Sequence, residues 1–62
     1  MAKDAEALAY IMLTLSLTYP FTDENDVVQH VKSSYGLSET DARALYRRTV
    51  EQMKKSGQLT DF

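Results

Sequence analysis

The chain has 62 residues, 44% of them hydrophobic and 26% charged, and its formal net charge is −2. It contains no cysteine and a single histidine, which excludes disulfides, thiolate metal sites and most zinc sites. A chain of this length forms one domain, residues 1–62, and buries only about 60% of the surface that its unfolded form exposes, so we expect it to depend on well-packed helices or on oligomerisation.

The first segment is an apolar run that ends before Tyr19 and Pro20. Asp4 is placed to cap a helix over residues 5–18, and the strong helix formers in the run favour this structure. Residues 13–19 also alternate between apolar and hydroxyl side chains, a pattern typical of a strand. Such a strand would have to pair with a second chain. Of the two alternatives we favour the helix.

One face of this first helix is the candidate surface for a dimer or for another protein partner. The apolar arc is wide, so more than one side of the helix should be buried. The alternative is that the other two helices cover the arc completely. The predicted interface consists of Leu8, Ile11, Met12, Leu15 and Tyr19.

The same run is too short to cross a bilayer, which takes about 20 apolar residues. Lys3 is offset by Asp4 and Glu6, so the segment lacks the basic start of a signal peptide. We therefore expect a soluble cytoplasmic protein with no membrane partner.

The second segment is predicted to be a helix over residues 23–35. Thr22 is its expected N-cap, and the acidic residues that follow suit the positive end of the helix dipole. Gly36 can adopt the left-handed conformation that ends a helix. The apolar residues at helical spacing are Val27, Val28, Val31 and Tyr35.

The third segment is predicted to be an amphipathic helix over residues 39–55. Ser38 and Asp41 form a Ser-x-x-Asp pattern related to the capping box, and Gly57 ends the helix. The apolar stripe consists of Ala42, Leu45, Tyr46, Thr49, Val50 and Met53. The opposite side is rich in arginine and lysine.

Charge is divided unevenly between the two halves of the chain. Residues 1–31 hold five acidic residues and one lysine, a net charge of −4, whereas residues 32–62 hold six basic and four acidic residues, a net charge of +2. One face of the protein is therefore attractive to phosphate. The predicted DNA-binding residues are Thr40, Arg43, Arg47, Arg48, Lys54, Lys55 and Lys32.

Within this set Arg43 and Arg47 are the expected base readers, because arginine can donate two hydrogen bonds to guanine. The alternative is that the basic residues only pair along the helix at i,i+4, as Glu39 with Arg43, Arg47 with Glu51 and Glu51 with Lys55.

The order of the three segments resembles the helical part of winged-helix and tri-helical DNA-binding domains, over about residues 9–59. In that resemblance Gly36, Leu37 and Ser38 are the turn of a helix-turn-helix, and residues 39–55 are the recognition helix. Residues 55–59 are similar to the helix end and first strand residue that precede a wing, but a full two-stranded wing does not fit in the residues that follow. The resemblance implies that the protein binds double-stranded DNA.

A second, weaker resemblance is to ribbon-helix-helix repressors, in which a strand precedes two helices and pairs with the strand of a second chain. It would place the strand at residues 13–18, with Thr14, Ser16 and Thr18 facing the major groove.

No pattern points to catalysis or to a metal. The serines have no base arranged beside them, a glycine-rich phosphate loop is absent, and Asp26 with His30 gives two possible metal ligands without a third. We therefore expect a non-enzymatic protein without cofactors.

The sequence predicts a dimeric, all-α, three-helix domain of helix-turn-helix type that acts as a small DNA-binding transcriptional regulator. The competing prediction is a protein-interaction or inhibitor module that docks through the apolar residues 8–19 and does not bind nucleic acid.

Overall fold

The computed structural model describes the backbone of residues 2–59 and the side chains of residues 4–59. It contains three α-helices, α1 (Ala2–Thr18), α2 (Glu24–Tyr35) and α3 (Glu39–Lys55), and each packs against the other two. No strand occurs in this part of the chain. The prediction of an all-α, three-helix domain is therefore confirmed.

Helix α1 includes residues 13–18, so the strand alternative is wrong, and the ribbon-helix-helix resemblance loses the element on which it depends. The hydroxyl groups of Thr14, Ser16 and Thr18 each donate a hydrogen bond to the carbonyl four residues earlier, at 2.8–2.9 Å. These bonds accommodate the alternating hydroxyl residues within a helix. The helix also begins at Ala2, so Asp4 lies in its first turn and is not its cap.

The N-cap of α2 is Asp23, and the prediction of Thr22 is wrong by one residue. The Asp23 carboxylate accepts hydrogen bonds from the backbone N–H groups of Asn25 at 3.0 Å and Asp26 at 3.4 Å. The Thr22 hydroxyl instead shares a 2.6 Å hydrogen bond with the hydroxyl of Thr18 at the end of α1. The helix consequently begins at Glu24.

Both glycines end helices as predicted. Gly36 has φ 68° and ψ 29°, the left-handed conformation, and the Ser38 hydroxyl then accepts a 3.1 Å bond from the Asp41 N–H to cap α3. At the other end of α3 the Gly57 N–H donates to the Lys54 carbonyl and the Gln58 N–H to the Met53 carbonyl, which is a Schellman motif. This turn brings Leu59 back onto the core.

The core is built where the three helices meet. Ile11 and Leu15 of α1 and Val28 and Val31 of α2 are completely buried. The predicted interface is therefore corrected at Ile11 and Leu15, because α2 and α3 already cover them within one chain. The other buried apolar residues are Ala7, Val27, Ala42, Leu45, Tyr46, Met53 and Leu59.

Candidate interaction surfaces

An ion-pair cluster joins α2 to the first half of α3. The Glu24 carboxylate accepts hydrogen bonds from Arg43 Nη1 at 3.0 Å and from Arg47 Nε at 3.3 Å. The Glu39 carboxylate accepts a bond from Arg43 Nη2 at 3.0 Å and lies 3.6 Å from the Lys32 ammonium. Arg43 therefore bridges two carboxylates, one from each helix.

Of the three predicted i,i+4 ion pairs, one forms in this cluster and the other two do not form among the described residues. Glu39 pairs with Arg43 as expected. Arg47 pairs with Glu24 across the helix interface, and within residues 4–59 Glu51 forms no ion pair with Arg47 or Lys55. Sequence spacing shows neighbours along one helix, but a pair between two helices requires their relative position.

Hydrogen bonding within the cluster favours the charged forms of Arg43 and Glu39. The pKa of the Arg43 guanidinium is raised, first by its hydrogen bond to Glu39 and then by that to Glu24. The pKa of the Glu39 carboxyl is lowered, mainly by the hydrogen bond from Arg43 and then by the charge of Lys32. Arg43 would have to give up these carboxylates to bind guanine, so this geometry does not favour it as a base reader.

The other predicted DNA-binding residues of α3 lie along one exposed arc. Thr40, Arg48 and Lys55 are exposed, and the Arg47 side chain is 70% exposed despite its bond to Glu24. Lys54 is also exposed, and its ammonium lies 5.7 Å from the centroid of the Tyr19 ring, a cation–π contact. Four cations thus share the arc with one acidic residue, Glu51.

The outer face of α1 carries large apolar side chains in water. Leu13 is 60% exposed and Leu17 is 76% exposed, and the two lie one helical turn apart. Phe21 lies three residues beyond the end of α1 and is 88% exposed; its N–H donates to the Thr18 carbonyl, which holds its backbone close to the end of the helix. We call Leu13, Leu17 and Phe21 the α1 stripe.

The α1 stripe lies in a part of the chain without charge. Residues 7–22 include no acidic or basic side chain. The interface predicted from the sequence lies on the opposite side of α1, because the spacing of apolar residues reveals a wide arc but not which part of it the other helices cover. The sequence feature that indicates the α1 stripe is the width of the apolar arc on the first helix.

A shallow groove separates the first half of α1 from the second half of α3. Its volume is about 370 Å³, and its apolar lining includes Leu8, Met12, Leu45 and Met53, with Asp4 and Arg48 also lining it. Leu8 and Met12 belong to the predicted interface, so the structure divides that set between this groove and the core. Tyr19, its fifth member, is half-buried beside α3.

The lone histidine is engaged in a local contact. The His30 ring stacks on Tyr10 of α1, with 4.4 Å between the ring centroids, and its Nε2 lies 3.3 Å from the Ser34 hydroxyl. Among the described residues, no three acidic, histidine or cysteine side chains are grouped so that they could hold a metal ion. None of the helices in the same residues is long and apolar enough to cross a membrane.

Comparison with protein-family models, curated proteins and solved structures found no match to this chain.

Proposed function

We propose that this chain is a protein-interaction domain that docks through the α1 stripe. The observation that carries the proposal is the exposure of Leu13, Leu17 and Phe21 at 60%, 76% and 88%. Single exposed apolar residues are common on folded proteins, but a group of large ones in an uncharged segment marks a contact surface.

The energetics favour a covered stripe. Fully burying one leucine or phenylalanine side chain is worth about 1.5–3 kcal/mol relative to leaving it in water. Burying all three side chains against a partner therefore contributes a favourable free energy of several times the thermal energy. The entropy cost of association reduces this gain. The nearby hydroxyls of Ser16 and Thr18 already donate to backbone carbonyls, so removing water from them costs little.

Site-specific photocrosslinking tests the proposal. A photoreactive benzoyl-phenylalanine at position 17 should form protein adducts in the cells that make this chain. The matched control places the same group at Ser33, an exposed position on α2. Adducts that appear equally at both positions, or at neither, would refute docking through the α1 stripe.

A second candidate function is binding of double-stranded DNA by α3, as in a small transcriptional regulator. The observation that favours it is the exposed arc with four cations, Arg47, Arg48, Lys54 and Lys55, and one acidic residue. In this proposal Thr40 and Arg47 face the bases, and the later cations neutralise phosphates. Arg43 has a supporting role, because two carboxylates hold it and its side chain is 33% exposed, whereas Arg47 has one carboxylate partner and is 70% exposed. Lys32 also has a supporting role, because it lies on α2 beside Glu39.

A salt titration of duplex DNA binding tests the second candidate. Each phosphate contact adds about 0.9 to the slope of log affinity against log salt, so changing both Arg48 and Lys55 to Gln should lower the slope by about two. Gln29→Ala, which changes an exposed but uncharged residue of α2, is the control and should leave the slope unchanged. No binding at about 50 mM salt, or equal slopes for all variants, would exclude this function.

A further inference from the structure

We infer that the partner of the α1 stripe is a second copy of this chain, packed so that the two α1 helices cross antiparallel near Leu17. The inference rests on the proposed function and names the occupant of the same surface. Three features of the described residues support it: the charge of the faces, the position of Glu6 and the size of the stripe.

Charge favours a copy of the chain itself. A twofold axis places each surface against itself, so any charge near the axis meets a like charge. The exposed faces of α2 and α3 carry charged residues, whereas residues 7–22 carry none. The part of the outer face of α1 that lies within residues 7–22 is therefore the surface that two copies of this acidic chain can share without repulsion.

The same charges disfavour a lipid surface. A helix that lies on a membrane usually flanks its apolar face with lysine and arginine, which attract anionic lipids. Along the chain the α1 stripe is instead preceded by Lys3, Asp4 and Glu6 and followed by Asp23 and Glu24, which together have a net charge of −3. Anionic lipids would repel these carboxylates.

Glu6 determines the direction of the crossing. Its position on α1 is seven residues before Leu13, which places it on the same face two turns away. Parallel helices would bring Glu6 against Glu6 of the second copy. An antiparallel crossing at Leu17 leaves each Glu6 about 16 Å from the axis, given a rise of about 1.5 Å per residue, and outside the contact.

The size of the stripe indicates a weak dimer. Two leucines and one phenylalanine at these exposures offer on the order of 400 Å² per copy, within the usual range of a functional surface patch. Stable dimers bury about 800 Å² per partner, and transient ones bury less. We therefore expect a dissociation constant in the micromolar range, on the order of 10 μM.

Sedimentation equilibrium tests the inference between about 1 and 500 μM, a range that brackets this constant. The wild-type mass should rise from that of the monomer, 7.0 kDa, towards twice that value. Leu17→Lys should remain monomeric, because it places a charge against itself at the axis, and a lysine suits the C-terminal end of α1 and so preserves the helix. Ser33→Lys, at the corresponding end of α2, is the control and should dimerise like the wild type.

A disulfide experiment provides a second measurement that does not add charge. Because the chain has no cysteine, Leu17→Cys introduces a single thiol per copy. With oxidised glutathione as the electron acceptor, two such thiols should form a disulfide-linked dimer at least about tenfold faster than those of Ser33→Cys. A wild-type chain that stays monomeric up to about 500 μM, or a dimer that persists in Leu17→Lys, would overturn the inference. If position 17 then crosslinks only to other proteins, the proposed function stands without the dimer; if it crosslinks to none, both fail.

Discussion

Leu15 and Leu17 provide a matched test of which side of α1 faces the core. They are the same residue type on one helix, two positions apart, yet Leu15 is completely buried and Leu17 is 76% exposed. Truncating a buried leucine to alanine costs about 2–5 kcal/mol, because apolar burial is lost and a cavity remains. An exposed site usually changes stability by less than about 0.5 kcal/mol, and alanine is the better helix former.

The size of the chain makes the difference easy to measure. A domain of 62 residues has a free energy of unfolding of about 3–9 kcal/mol. Leu15→Ala should therefore remove a large part of the total and lower Tm by at least about 8 °C. Leu17→Ala should leave the stability of the monomer nearly unchanged.

Urea unfolding followed by far-ultraviolet circular dichroism measures both variants. The protein concentration should be about 1 μM, so that association does not contribute to the apparent stability. Equal losses for the two variants would refute the orientation of α1 described above, as would a loss below about 0.5 kcal/mol for Leu15→Ala. At higher concentration, Leu17→Ala alone should lose the part of the stability that comes from dimerisation.

The remaining predictions concern the helix ends and one buried phenol. Gly36→Ala should cost about 1–2 kcal/mol in urea unfolding, because Gly36 has φ 68°; an unchanged midpoint would show that the turn relaxes. Asp23→Ala should cost about 1 kcal/mol and Thr22→Ala less, and the reverse order would restore Thr22 as the cap of α2. Burial, followed by the charge of Glu24, raises the pKa of Tyr46. The shift therefore stabilises the folded state fully below the unfolded phenol pKa of about 10, and this stabilisation is lost as the pH rises through the higher folded value. Stability measured from about pH 8 to 11.5 should therefore fall more steeply in the wild type than in Tyr46→Phe, and parallel curves would contradict a raised pKa for this phenol.

Helices α2 and α3 could be predicted closely from local signals. Ser38, Gly36 and Gly57 act within a few residues of their position, so their roles do not depend on the rest of the fold. The error at Thr22 has a local cause as well. Two adjacent residues could each cap α2, and the choice depends on a contact between Thr22 and Thr18 that the sequence pattern does not show.

The position of α1 could be predicted only in part. Its wide apolar arc indicated more than one contact, and Leu13 and Leu17 lie on that arc. Which side faces the core depends on how α2 and α3 cross, and this is a property of the packed domain. The predicted interface therefore combined core residues, Ile11 and Leu15, with groove residues, Leu8 and Met12.

The basic face illustrates the same limit for charge. A count of arginines and lysines predicted a surface attractive to phosphate, and the exposed arc of α3 is consistent with that count. The pairing of Glu24 with Arg43 and Arg47 spans 19 and 23 residues, so it could not be derived from helical spacing. Because of this pairing, Arg43 acts as a link between helices, and the apolar face of α1 becomes the better candidate for function.

Leucine methyl NMR over a dilution series tests most directly whether the α1 stripe is the contact surface. The methyl resonances of Leu13 and Leu17 should shift together between about 10 μM and 1 mM, following one dissociation constant in the micromolar range. Those of the buried Leu45 and Leu59 should remain in place and report an unchanged fold. Methyl shifts that are independent of concentration, or that occur only at Leu8 beside the groove, would contradict association through the α1 stripe.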